Sequence, residues 1–213
     1  YDYEPIFATG TMLGVTDAFA VLGIMDVVER MGLDVMSAGV ALAWATEAVE
    51  QGILSTRETV VPLRFGDAAA YRQAVRHLGR GTNDFYRLLG QGSLAAAREY
   101  GGEAFACVLG QEMAGYATGE VFYAAQAIGF RHSHLDTGAY AYDQKHAEKD
   151  VDKAVAFLIA DERERVVLTS MVSCLFARGV YTPDLLAECL NALGYRELAD
   201  NLAALGEGLQ KKR

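Results

Sequence analysis

Residues 17–31, DAFAVLGIMDVVERM, are apolar on almost every side of a helix, with Asp26, Glu29 and Arg30 gathered on one edge. A helix of that kind cannot lie on a surface; it needs apolar neighbours around most of its circumference. A second segment, residues 36–51, has the same character, and only the tight connector Gly32-Leu33-Asp34 separates the two. A chain built on two such segments must fold around a large helical core. Its 213 residues suffice for one large domain or two small ones. Apolar residues at 52% against 22% charged give a globular balance and not a disordered one. The most apolar run, 36–49, is interrupted by Glu47 and is too short to span a membrane. A net charge of −9 argues against nucleic acid, whose phosphates require a basic footprint.

Only three prolines occur, which favours helix throughout. Helical patterns are expected at 68–79, 84–99 and 119–128. Residues 54–67, containing VVPLRF, carry the one strong strand signal, and AFACVLG reads as a short extended piece. A loop rich in His, Gly, Asp and Tyr covers 129–144. From 150 to 178 the pattern is one long helix or two with a kink: Leu168, Met171, Val172 and Leu175 recur at i, i+3, i+4, i+7, with Gly179 as the stop. Thr182-Pro183 is an N-cap followed by proline at the first helical position. Leu185, Leu186, Cys189, Leu190 and Leu193 then line one face, Gly194 ends that helix, and a last one covers 196–209. The fold class is mainly α: two packed helical domains with at most short strands, 1–102 and 103–213, divided at Gly101 and Gly102. Three cysteines without a CxxC pair suit a reducing, cytoplasmic setting. No signal-peptide pattern is present. A first residue that is tyrosine and an abrupt GLQKKR ending read as cuts through a longer chain.

Several segments in order resemble the aldehyde ferredoxin oxidoreductase family. YDYEPIFATGTMLG is similar to that family's PEYE followed by LGxxxG. ERMGLDVMSAGVALAWATEAVEQGIL resembles its GLDTxSxG and the helix ending EKGIL. LRFGD and GRGTNDFYRLLGQGSLAAAREYGGEAF follow its next helices, GQEM matches KGxEM, and TSMVSCLFARG resembles DSLVxCKF. The resemblance implies a tungsten or molybdenum ion on two pterin dithiolenes beside a 4Fe–4S cluster, with this chain as the two helical domains. The pterin-binding N-terminal domain of the same enzyme, with three cluster cysteines, is then a partner supplied from elsewhere.

Carried over residue by residue, the resemblance makes Cys174 the fourth cluster ligand; a lone cysteine on a helix is otherwise a small buried hydrophobe. Asp34 and Glu29 fall on the first pterin-contact motif, Glu29 in place of its aspartate. A carboxylate accepts from a pterin's N–H donors, although Asp34 also reads as a helix N-cap and Glu29 as a charged edge. In the second copy of the motif Thr169 replaces an aspartate. Glu4 matches a carboxylate near the metal, preceded by Asp2. His132 aligns with an active-site proton donor, with Arg131 where a cysteine is usual, and His134 shares its loop. The His132-x-His134 pair with Asp136 also reads as a zinc or iron site, both rings on one face if the segment is a strand. Tyr116 sits near a substrate-facing tyrosine or is a packed aromatic.

The implied function is oxidation of an aldehyde to a carboxylate, with electrons passed through the cluster to ferredoxin or another electron-transfer protein, and a homodimer is an assembly the resemblance allows. This chain alone would be inactive. The departures at Tyr116, Arg131 and Thr169 keep open a tungsten-dependent reductase of acyl-CoA or aromatic substrates. A free-standing helical scaffold is the non-catalytic alternative.

Overall fold

Most of these helices begin at a side chain that closes the first turn. Asp17 accepts from Ala20 N–H at 2.8 Å and Asp34 from Ser37 N–H at 2.7 Å. Asp67, Asn83, Asp150 and Thr182 do the same for later helices. The computed structural model describes residues 3–113, 117–148 and 150–212. Among them the regular structure is helical, with a single antiparallel bridge, Val108 to Gln111. The all-α fold expected of the sequence is what the chain adopts. No single helix is long and apolar enough to cross a membrane.

The chain divides into two compact units, Tyr1–Tyr116 and Ala117–Arg213. In the first, α1 (Tyr3–Thr9), α2 (Ala18–Arg30), α3 (Val35–Glu50), α4 (Thr56–Thr59), α5 (Ala68–Arg80), α6 (Asp84–Leu89) and α7 (Ser93–Tyr100) follow one another. The two apolar segments become α2 and α3. Helix α3 packs on α1, α5 and α7, while α2 packs on α5. The core holds Trp44, Tyr71, Phe85 and Tyr86, all essentially sealed from solvent. Its polar atoms are paired: the Tyr71 hydroxyl lies 3.0 Å from Thr46 Oγ1, and the Tyr86 hydroxyl donates to the Thr59 carbonyl at 2.6 Å. Gly39 lets α1 come close, since a Cβ there would sit 2.5 Å from the Ala8 carbonyl.

Gly101 and Gly102 lie inside this first unit. Both have positive φ, and Trp44 Nε1 donates to the Gly102 carbonyl at 3.2 Å, fastening the turn to α3. The expected strand at 54–67 does not form. Ser55 and Glu58 instead make a reciprocal capping box that starts α4. Ser-x-x-Glu was the overlooked signal, and Pro62 removes a donor that a strand would need. The expected helix 84–99 is split at Gly90–Gly92, with Gly92 at φ 112. AFACVLG becomes a 3-10 turn at Glu103–Phe105, then a hairpin whose Leu109 and Gly110 both have positive φ.

The second unit comprises α8 (Glu120–Ile128), α9 (Ala139–Lys145), α10 (Val151–Ser170), α11 (Pro183–Ala192), α12 (Arg196–Asp200) and α13 (Leu202–Gln210). Helix α8 packs on α9, α10 on α13, and α11 on α12. The histidine loop is shorter than expected, because α9 begins at Ala139. Helix α10 also stops early. Val172 turns left-handed at φ 58, with Val172 N–H bonded to Thr169 O and Ser173 N–H to Leu168 O. This is a Schellman ending with valine where glycine is usual. The i, i+3, i+4, i+7 pattern therefore runs past the helix: Val172 is 94% exposed, and Gly179 is not its stop. Thr182 and Pro183 do start α11 as expected. Cys189 does not share a buried leucine face; it is exposed. The expected last helix is two, broken at Asn201.

Candidate functional site

In the first unit, the amino-terminal turn of α3 and the 90–93 turn border a groove of about 300 Å³, lined by Asp34, Ser37, Ala41, Leu89 and Gly92. A second hollow of about 370 Å³ shares Ser37, Gly92 and Glu112 with it and adds Arg98 and Cys107. Asp34 is exposed and uses Oδ1 to cap α3. The helix-cap reading of Asp34 is thus part of the fold, and the same side chain also lines the groove. Glu112 closes the other side. Its Oε1 accepts from Ser93 N–H at 2.6 Å, in the place of the side-chain cap that Gly92 lacks. Sequence reasoning noted GQEM as a motif but assigned Glu112 no task; the signal available was a helix start with no capping side chain of its own. Glu29 is exposed on the last turn of α2, and Glu4 is half-buried on the first turn of α1; neither lines the groove.

In the second unit, residues 129–138 form a loop held by charge. Asp136 is buried, at 4% exposure. Its Oδ2 accepts from Arg131 N–H at 2.6 Å and Ser133 N–H at 3.1 Å, and its Oδ1 from Arg131 Nε at 2.8 Å. From α10, Glu162 accepts from Phe130 N–H at 2.7 Å, and Asp161 from Gly138 N–H at 2.6 Å. Arg165, also buried, pairs with Asp161 at 2.6 Å and donates to the Leu135 carbonyl at 3.2 Å. A charge withdrawn from water must be paired or hydrogen-bonded: Asp136 and Asp161 pair with arginines, and Glu162 also accepts from Gln210 Nε2 at 2.7 Å. These α10 residues escaped the sequence reading, although the DERER block inside an otherwise apolar pattern was the available signal.

His132 is exposed and left-handed, at φ 57; His134 is half-buried. The segment is not a strand, so the alternation that would align both rings is absent. Asp136 has its oxygens directed at N–H donors. Among the described residues no group of three or more His, Cys, Asp or Glu side chains is placed to hold a metal ion, which counts against the zinc or iron reading of the loop. Cys174 is exposed just beyond α10, at the start of a 3-10 turn, Leu175–Ala177. Tyr116 and Asp2 fall outside the described residues.

Comparison with known proteins bears on the whole chain. It is 26% identical over 97% of its length to a tungsten-containing aldehyde ferredoxin oxidoreductase of Pyrococcus horikoshii, covering 36% of that protein. Proteins of the same description from Pyrococcus abyssi and Thermococcus kodakarensis are 25% and 26% identical, again over 97% of the chain and 36% of the relative. The chain thus spans about a third of the length of the curated relatives it matches. The family profile described as aldehyde ferredoxin oxidoreductase, domains 2 and 3, matches residues 1–210. The chain belongs to the aldehyde ferredoxin oxidoreductase family.

Proposed function

We propose that this chain is the helical part of a tungsten- or molybdenum-dependent bis-pterin oxidoreductase that converts an aldehyde to a carboxylate and passes the electrons through a 4Fe–4S cluster to ferredoxin. Cys174 carries the reading. Its thiol is exposed beyond the last turn of α10, and not sealed among leucines, as a ligand offered to a cluster outside the unit requires. One thiol fits one ligand of such a cluster; the other three belong to a further part of the enzyme. Asp34, exposed at the groove, suits a contact to pterin donors. When bound, the pterin-held metal supplies the two-electron redox step and the cluster its one-electron relay.

The work of this chain's own residues is to exclude water and handle protons. Helices α2 and α3 form the packed wall. Glu4 and His132 are assigned proton transfer, and His134 and Tyr116 are assigned to the same reaction. In the complete protein, produced without oxygen, Cys174→Ala is expected to abolish the spectroscopic signal of the reduced cluster. Ferredoxin reduction falls to background, while tungsten and pterin content are retained. Cys189→Ala, also at an exposed thiol, leaves all three unchanged. A cluster signal surviving in Cys174→Ala overturns the reading. Turnover of simple aldehydes with an artificial acceptor separates it from an acyl or aromatic reductase, and absence of metal and pterin from the complete protein would favour a scaffold.

A further inference from the structure

We propose that Asp136 is a positioning residue that holds His132 as its Nδ1–H tautomer, presenting Nε2 as the nitrogen that exchanges protons. The bonds that fix His132 come from both sides of it. Asp136 accepts the N–H of the residue before, Arg131, and of the residue after, Ser133, on one oxygen. That bracket sustains the left-handed backbone at His132, a conformation that costs a non-glycine residue energy and persists only where its surroundings impose it. His132 N–H then bonds to the Gly129 carbonyl at 3.3 Å, and its own carbonyl accepts from Gln126 Nε2 at 3.1 Å.

The ring follows from the backbone. His132 Nδ1 lies 3.3 Å from the Gln126 carbonyl oxygen. A carbonyl only accepts, so Nδ1 carries the hydrogen and the lone pair of the neutral ring resides on Nε2. Gly129 allows the close fit, since a Cβ there would stand 2.8 Å from the Ala125 carbonyl and 2.9 Å from Asp136 Oδ2. The loop cannot drift, because α10 holds it at Phe130, Leu135 and Gly138. The charged groups packed around it are Arg131 and Asp136 on the loop and Asp161, Glu162 and Arg165 on α10, with His134 two residues on. The proton-transfer task of Nε2 rests on the function proposed above; the tautomer and the bracket do not.

The test is histidine and amide NMR on the isotopically labelled 213-residue chain, where four imidazoles are to be assigned. In the wild-type chain His132 is expected as the Nδ1–H tautomer, with the Arg131 and Ser133 amides protected from exchange. In Asp136→Asn those amides exchange about tenfold faster or more, as loss of a charge-assisted bond implies. His132 becomes a tautomer mixture, while His146, bonded through Nδ1 to the Tyr142 carbonyl, is unchanged. Asp143→Asn serves as the stability control: Asp143 accepts from Phe122 N–H at the start of α8, so its loss weakens the unit without moving the His132 tautomer. An Nε2–H tautomer in the wild-type chain overturns the proposal even if Asp136→Asn fails to fold. So does an unchanged tautomer in an Asp136→Asn chain that is folded by circular dichroism. In the complete enzyme, His132→Asn with undiminished aldehyde turnover would overturn the proton-transfer reading alone and leave the positioning role standing.

Discussion

Asp34 shows how one side chain can serve both a helix and a groove. Its Oδ1 caps α3 while the residue lines the hollow beside α7. The two roles are separable by substitution. Asparagine caps a helix about as well as aspartate, whereas alanine costs about 1 kcal/mol. Asp34→Asn is therefore expected to leave the thermal midpoint nearly unchanged and Asp34→Ala to lower it, both read by circular dichroism. Loss of pterin from the complete Asp34→Asn enzyme would then report the charge and not the cap. At this scale the sequence pointed to Asp34, His132 and Cys174 only through the resemblance to the family. It did not point to Asp136, Asp161, Glu162 or Arg165 as a frame, because the bonds that tie α10 to the loop join groups 23 to 32 residues apart. Pairing across such spans depends on how the chain returns, which no local pattern encodes.

Helix α3 is the element on which the first unit is organised, and at Gly39 helix α1 lies close against it. A methyl group there meets the Ala8 backbone at 2.5–2.8 Å, and backbone cannot swing aside as a side-chain tip would. Gly39→Ala is expected to destabilise the unit by about 1–3 kcal/mol, the usual cost of overpacking, despite alanine's better helix propensity. A raised urea midpoint in that variant would show that α1 is not pressed against α3. Helices α2, α3, α5 and α11 were legible from their residue patterns, with a cap also read at Asp34 for α3 and at Thr182 for α11. The strand expected at 54–67 failed because VVPLRF finds no partner strand, and a lone strand leaves its backbone groups unpaired. The end of α10 was missed for a related reason. Val172 has the apolar identity of a helix interior but lies outside the helix, 94% exposed.

The two units differ in what they bury, and pH should tell them apart. The first encloses Tyr71, whose hydroxyl burial pushes up to about 12, and Tyr86, which burial raises further. A folded state that resists ionisation keeps its full contribution below pH 10, the ordinary tyrosine value, and loses it as pH rises toward about 12. Trp44, the single tryptophan, lies in this unit. Its fluorescence should therefore report an alkaline transition between pH 10 and about 12, in step with tyrosinate absorbance. A Trp44 signal that stays native past that window would sink the assignment. By itself the sequence determined the helical class, the two apolar helices, the caps at Asp34 and Thr182 and the family, because these depend on periodicity, local hydrogen bonding and ordered motifs that can be read in one dimension. Only the tertiary structure decided that Glu112 caps α7, that Cys174 stands exposed beyond a left-handed turn, and that buried charges of α10 clamp the histidine loop. Those outcomes depend on which distant groups share a low-dielectric space, where an unpaired charge or amide is too costly to leave.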